Sequence, residues 1–240
     1  MRLTILHTND LHGRLDDAKA EALRTLREQE GALLLDSGDC IKAGNLAIPV
    51  REDPAWGRLH AAGCSAGVLG NRETHPLASA FEAKLRGARH PLLCANLRAK
   101  GAGEPPPLPG SLVLEHKGVR VGILGVMVPM VTERMASKAA SHYLWDPPLP
   151  CAAAIARALR PDVDVLIALT HIGHRQDLEL AAACPEIDVI LGGHSHTVLE
   201  QPVLVGKTAV CQGGSHARFV GVYSWESGRG GVEGRLVPLD

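Results

Sequence analysis

Arg2-Leu3-Thr4-Ile5-Leu6-His7-Thr8-Asn9-Asp10-Leu11-His12-Gly13 begins as a short apolar run and ends as a polar loop carrying a carboxylate and an imidazole. The change of character marks a buried strand that delivers Asp10 and His12 at its carboxyl end. Asp10 and His12 are two positions apart, and they converge on one ion only if the chain leaves regular strand geometry there, which Gly13 permits.

Four further islands share this form: Asp36-Ser37-Gly38-Asp39, Gly70-Asn71-Arg72-Glu73, Thr170-His171-Ile172-Gly173 and Gly192-Gly193-His194-Ser195-His196. In an open α/β sheet ligands collect beyond the carboxyl ends of strands, so the polar groups stand where such a fold puts chemistry. Imidazole, carboxylate and amide oxygen together suit Zn²⁺, Mn²⁺, Fe or Co better than Ca²⁺, which prefers an all-oxygen shell. Each residue alone has a plainer explanation, since Asp and Asn form turns and a lone His is more often packing or surface than ligand. The joint pattern of residue type, order and position after a strand is what points to a metal centre. His7, His60, His90, His116, His142 and His216 stand outside it and read as structural or exposed.

Working outward, apolar runs recur at Leu3–Leu6, Ala32–Leu35, Val68–Leu69, Leu92–Cys94, Val119–Val126, Val163–Leu169, Val189–Leu191, Ala209–Cys211 and Val220–Trp225, and read as strands. Helices are expected at Asp16–Gln29 with Asp16 or Asp17 as N-cap, from Pro76 through Leu85, at Cys151–Leu159 and at Asp177–Ala183. Their alternation gives a layered α/β class, and the missing helices between the last strands make part of the sheet antiparallel. Gly101–Gly110, with Pro105-Pro106-Pro107, reads as a surface loop. Met127–Pro150, with Met130, Met135, His142, Tyr143 and Trp145, is either a loop touching substrate or a cover over the core.

The 240 residues carry a net charge of −1 and no basic block, which argues against a nucleic-acid or membrane-surface partner and for a small molecule. One domain over residues 1–240 is expected. The apolar run at the N-terminus is too short for a signal peptide or a membrane span, so a cytoplasmic location is expected. Six cysteines without a C-x-x-C pair argue against a thiolate zinc site or a thioredoxin-like motif, and Cys40, next to Asp39, could be a soft ligand but reads as packing.

The islands Thr8–Gly13, Asp36–Asp39, Gly70–Glu73, Thr170–Gly173, Ile187–Thr197 and Gln212–Gly221 resemble the metallophosphoesterase (calcineurin-like) superfamily, specifically the N-terminal catalytic domain of the 5′-nucleotidase family. The resemblance implies a four-layer α/β/β/α sandwich of two mixed sheets flanked by helices. It implies two divalent ions among Mn²⁺, Zn²⁺, Fe and Mg²⁺, one held by Asp10, His12, Asp39 and His196, the other by Asp39, Asn71, His171 and His194. A water activated between them would attack the phosphorus of a small phosphoester such as a nucleotide. A phosphodiesterase or cyclic nucleotide hydrolase, and a metal-binding module with little activity, are the alternatives.

Two departures stand out. Where the family has G-N-H-E, this chain has Gly70-Asn71-Arg72-Glu73, and the missing histidine is the one that contacts phosphate and helps the leaving group. Arg72 can grip phosphoryl oxygens but cannot give up a proton at neutral pH, so His75 or His174 becomes the candidate acid. The chain also stops at Asp240, so the family's C-terminal domain with its base-stacking aromatics is expected to be absent. The substrate wall would then come from Met127–Pro150 or from the partner in a homo-oligomer.

Overall fold

The computed structural model describes residues 1–101, 107–228 and 231–239. Its strands are β1 (Arg2–Thr8), β2 (Leu33–Asp36), β3 (Cys64–Val68), β4 (Leu92–Leu93), β5 (Leu97–Ala99), β6 (Ser111–His116), β7 (Val119–Met127), β8 (Tyr143–Trp145), β9 (Val165–His171), β10 (Val189–Leu191), β11 (Val203–Val205), β12 (Thr208–Cys211), β13 (Phe219–Glu226) and β14 (Val232–Pro238). The helices are α1 (Asp17–Glu30), α2 (Pro54–Ala62), α3 (Ala78–Leu85), α4 (Pro148–Leu159) and α5 (His174–Ala183).

One six-stranded sheet runs β14-β13-β1-β2-β3-β4, the other β11-β12-β10-β9-β7-β6. Each has a parallel run, β1, β2, β3 and β4 in the first and β7, β9, β10 and β12 in the second, with antiparallel pairing on one side of the first run (β13) and on both sides of the second (β11, β6). The period-two alternation of the strands builds the layers. Leu3, Ile5, Leu33 and Leu35 of the first sheet meet Val165, Ile167, Leu169 and Leu191 of the second in a shared core. The intervening Leu6 and Leu34 face α1 and α2 through Leu23, Trp56 and Leu59. Leu166 and Ala168 face α4 and α5 through Ala152, Ala156, Leu180 and Ala181. Buried on both faces, these strands read as continuous apolar runs. Each fully buried Leu or Ile contributes about 1.5–3 kcal/mol of transfer free energy. The result is the α/β/β/α sandwich of two mixed sheets.

Asp16 caps α1 by accepting from Lys19 N at 2.8 Å, and Gly31, left-handed at φ 55°, ends it. The helix α2 has no counterpart among the expected elements, although Asp53 caps it, Pro54 opens it and Gly63 closes it at φ 81°. The two ends of the Met127–Pro150 segment cover the core, whereas residues 133–140 between them are exposed. Trp145 is buried in the core beside Val131 and Leu144, and the Tyr143 ring lies 5.0 Å from that of Phe81. Of the expected Gly101–Gly110 loop, residues 102–106 lie outside the described residues, and 107–110 form neither helix nor strand.

Candidate metal centre

The five islands follow the carboxyl ends of β1, β2, β3, β9 and β10, parallel strands whose ends lie level within each sheet. Beyond β1 and β2 the pairing continues irregularly: Asp10 N donates to Gly38 O, His12 N to Asp39 O and Gly13 N to Cys40 O, at 2.9, 2.8 and 2.8 Å. Convergence is achieved by left-handed backbone at the ligand candidates themselves, Asp10 (φ 50°), His12 (50°), Asp39 (55°), His194 (76°) and His196 (56°). Gly13, at 70°, is one part of the turn rather than its cause. Non-glycine residues in this region cost about 1–2 kcal/mol each, and such strain concentrates at functional sites.

Asp10, His12 and His196 form one group and Asp10, Asp39 and His171 another, with Asn71 and His194 beside the second. In the first, the Nε2 atoms of His12 and His196 stand 2.9 Å apart, and Asp10 Oδ1 lies 3.8 and 3.3 Å from them. In the second, Asn71 Oδ1 lies 3.2 Å from His171 Nε2 and 3.0 Å from His194 Nδ1. Asp39 lies between the two histidines on the floor, Oδ2 at 3.9 Å from His12 Nδ1 and Oδ1 at 3.6 Å from His171 Nε2. Asp10, His12, Asp39 and His171 form a buried floor, whereas His194 and His196 are exposed at the rim.

These donors fit divalent ions. Asp10 Oδ1 is buried without a hydrogen-bond partner among the described residues. Two nitrogens each about 2.1 Å from one ion, at right angles, stand about 3 Å apart, close to the spacing of His12 and His196. His171 Nδ1 meets the Ser37 carbonyl at 2.7 Å; a carbonyl only accepts, so the proton is on Nδ1 and the Nε2 lone pair faces Asp39 and Asn71. Burial, with Arg72 and the neighbouring imidazoles adding to it, pushes His12 down to about 3, so its ring is neutral and free to ligate at neutral pH. Burial raises Asp39 to about 7, with Asp10 adding to the rise, while the Arg72 N–H and the Arg72 and Lys84 charges oppose it. A cation relieves such crowded, desolvated carboxylates.

The supporting residues are buried and hydrogen-bonded. Glu73 Oε2 accepts from Asp39 N and Gly70 N, both at 2.8 Å, and Oε1 from Ile41 N at 3.2 Å. Asn9 Nδ2 donates to Asp10 Oδ2 at 2.8 Å, which also accepts from His194 N at 2.9 Å. Gln212 Nε2 donates to Gly193 O at 2.9 Å, and its Oε1 accepts from Thr197 N, tying down the loop that carries both rim histidines.

The Arg72 N–H donates to Asp39 Oδ1 at 2.7 Å, Arg72 Nε lies 3.8 Å from Asp39 Oδ2, and Nη1 donates to Lys42 O at 3.1 Å. The guanidinium therefore lies beside the Asp39 carboxylate with about a third of its side chain exposed. His75 is held locally instead: its Nδ1 accepts from Leu77 N at 3.1 Å, at the start of α3, and burial with Lys84 lowers its affinity for a proton. None of its hydrogen bonds or ion pairs among the described residues reaches the seven ligand candidates. His174 opens α5, its backbone N–H donating to Ser195 Oγ at 3.0 Å. Cys40 is buried in the core, where burial and the Glu73 and Asp36 carboxylates raise its thiol well above the usual value, as packing requires and ligation does not.

His216, read from the sequence as structural or exposed, belongs to this site. Its ring lies 4.9 Å from that of His12 and 5.9 Å from that of His196, its backbone N–H donates to Asp10 O at 2.8 Å, and its backbone is left-handed at φ 63°. The signal was its place within Gln212–Gly221, after a strand run and two glycines. His7 is buried and structural: Ser37 Oγ donates to Leu191 O at 2.7 Å, so His7 Nε2 donates to Ser37 Oγ at 2.9 Å, bridging the two sheets.

The sequence model of the calcineurin-like phosphoesterase family matches residues 3–198. The chain is 30% identical over 245 residues to the 5′-nucleotidase of Vibrio cholerae, covering 86% of this chain and 42% of that protein. It is 29% identical over 233 residues to the human 5′-nucleotidase, covering 82% and 38%. It spans less than half the length of these curated relatives. Among solved structures, the 5′-nucleotidase precursor of Thermus thermophilus superposes with a TM-score of 0.81 at 22% identity, over 99% of this chain and 54% of that one. The sulfate thiohydrolase SoxB of Thermus thermophilus reaches the same TM-score at 18% identity, over 99% and 56%, so the fold is shared by more than one chemistry. With the family's sequence model matched over most of its length and the fold over nearly all of it, the chain belongs to the calcineurin-like phosphoesterase family.

Proposed function

We propose that the chain is a dinuclear-metal-dependent phosphoester hydrolase of 5′-nucleotidase type, acting on small phosphomonoesters including nucleotides. The observation that carries this reading is the convergence of Asp10, His12, Asp39, Asn71, His171, His194 and His196 from five strand ends, with Asp39 lying between His12 and His171. Two divalent ions held by these residues would supply an activated water and charge neutralisation for the phosphoryl oxygens. The protein's own part is positioning. Arg72, beside Asp39 and partly exposed, holds phosphoryl oxygens through its planar fork of donors. Arg72 stays protonated, so it stabilises charge without protonating the leaving oxygen. His75, neutral and tied to α3, is a weak acid candidate, and solvent at the open rim protonates the leaving group.

The test is metal analysis of the purified protein, followed by assays after chelation and re-addition of Mn²⁺, Zn²⁺ or Mg²⁺ with aryl, alkyl and nucleotide monoesters and a bis-aryl diester. The expected result is metal-dependent turnover that is faster on aryl than on alkyl esters, because a good leaving group needs no acid. Asp39→Asn should weaken uptake of both ions together. Turnover unaffected by chelation, or no turnover with any ester, sinks the proposal, and a preference for the bis-aryl ester redirects it to phosphodiesters.

A further inference from the structure

We propose that Lys84 and Asn45 act as positioning residues that set the Asn71 amide for the second ion. This rests on the dinuclear reading above. An asparagine amide has two ends of nearly equal size, an acceptor oxygen and a donor nitrogen, and only the oxygen can serve a cation. Asn71 Nδ2 donates to Asn45 Oδ1 at 2.9 Å, and this bond turns Oδ1 toward His171 and His194. While Asn45 presents its own oxygen, it holds the nitrogen end of Asn71 and leaves the oxygen end to the ion.

Asn45 lies on an exposed segment without helix or strand, and such a segment cannot hold a side chain in place unaided. Lys84 supplies the anchor. Its ammonium donates to Gly44 O at 2.7 Å, Asn45 O at 3.0 Å and Arg72 O at 2.5 Å, using all three of its protons. One buried group thus fixes the backbone that carries Asn45 against the residue that follows Asn71. Lys84 is fully buried at the end of α3 and makes no ion pair among the described residues. Its own backbone is held in turn, since Trp56 Nε1 donates to Lys84 O at 2.9 Å and ties α3 to α2. Partners that orient a ligand typically carry about 10–100-fold of metal affinity.

The experiment titrates chelator-stripped protein with Mn²⁺ by calorimetry, comparing wild type with Asn45→Ala, Asn45→Asp and Lys84→Met. Wild type should take up two ions. In Asn45→Ala and Lys84→Met one ion should bind as before and the other about 10–100-fold more weakly. Asn45→Asp, whose carboxylate still accepts from Asn71 Nδ2, should recover most of the loss. Wild-type affinity for both ions in Asn45→Ala, or an Asn45→Asp variant no better than Asn45→Ala, overturns the positioning role. Fewer than two ions in wild type instead overturns the dinuclear reading and the relay with it. Asn45 is exposed, so its variants keep the fold and decide the matter even where Lys84→Met does not fold.

Discussion

Arg72 shows how one residue divides the site's chemistry. Its backbone N–H, donating to Asp39 Oδ1 at 2.7 Å, is available to any residue but proline, so the Asp39 carboxylate keeps its orientation whatever other side chain stands there. The side chain alone decides whether a proton can be delivered. Arg72→His should therefore raise the ratio of alkyl to aryl phosphate turnover by about 10²–10⁴-fold, the range of general acid catalysis, and weaken phosphate binding as the forked donors are lost. Steady-state kinetics on a matched ester pair, with phosphate inhibition, reads both effects; an unchanged ratio would show that the imidazole gains no access to the leaving oxygen. At this scale the sequence is legible where residue type is itself chemical. The seven candidates stand out as Asp, Asn and His after apolar runs. His216 does not, because its relation to the first group depends on a left-handed backbone at φ 63° and on a strand at the other end of the chain; only the fold brings it against His12. The supporting role of Glu73 is hidden for the same reason, since its partners, Asp39 N and Ile41 N, lie on another strand's loop.

At the scale of elements, the site depends on how closely the β10 loop can approach the β2 loop. A methyl group at Gly193 would stand 2.8 Å from Ser37 O, 2.9 Å from His171 Nδ1 and 3.2 Å from Asp10 Oδ2, of which the first belongs to rigid backbone. Gly193→Ala should cost about 1–3 kcal/mol as an overpacked contact, and it should weaken ion uptake by displacing His171. Gly57→Ala is the control: a Cβ there meets nothing within 4 Å, in the exposed interior of α2, so the change should stabilise the protein by about 0.5–1 kcal/mol. Urea midpoints for the two variants should move in opposite directions; a Gly193→Ala midpoint at or above wild type would contradict the close approach. The central strands were readable because burial on both faces makes their sequences continuously apolar. Edge strands β6 and β14 carry alternating polar residues, as in Glu115 and Glu233. Their exposed faces dilute the signal, and β8, three residues long, takes its form from pairing with β5 rather than from local preference. The signal for α2 lies in its punctuation, Asp53-Pro54 and Gly63, rather than in its apolar period.

Across the whole molecule, burying the ends of two sheets face to face strands titratable groups with opposite demands on pH. His7, bridging the sheets, is pushed down to about 3 by burial. Unfolded, it takes up a proton near 6.5, so its contribution to stability falls as pH drops from about 6.5 toward 3. Asp177 goes the other way. Its Oδ1 accepts from Thr170 Oγ1 at 2.6 Å, its Oδ2 has no partner among the described residues, and burial raises it to about 8. The folded state then holds a proton that the unfolded chain releases above about 4, so this stability is full in acid and is lost as pH rises through 8. Asp177→Asn keeps an oxygen for Thr170 and cannot ionise. In chelator-treated protein, the unfolding free energy of Asp177→Asn relative to wild type should rise between pH 5 and pH 8 by about 1.4 kcal/mol per unit, the slope of one proton. Urea unfolding at four pH values measures it. Parallel profiles for the two proteins would mean that Asp177 is already ionised in the fold, and that the layer between β9, β10 and α5 admits enough water to solvate a carboxylate.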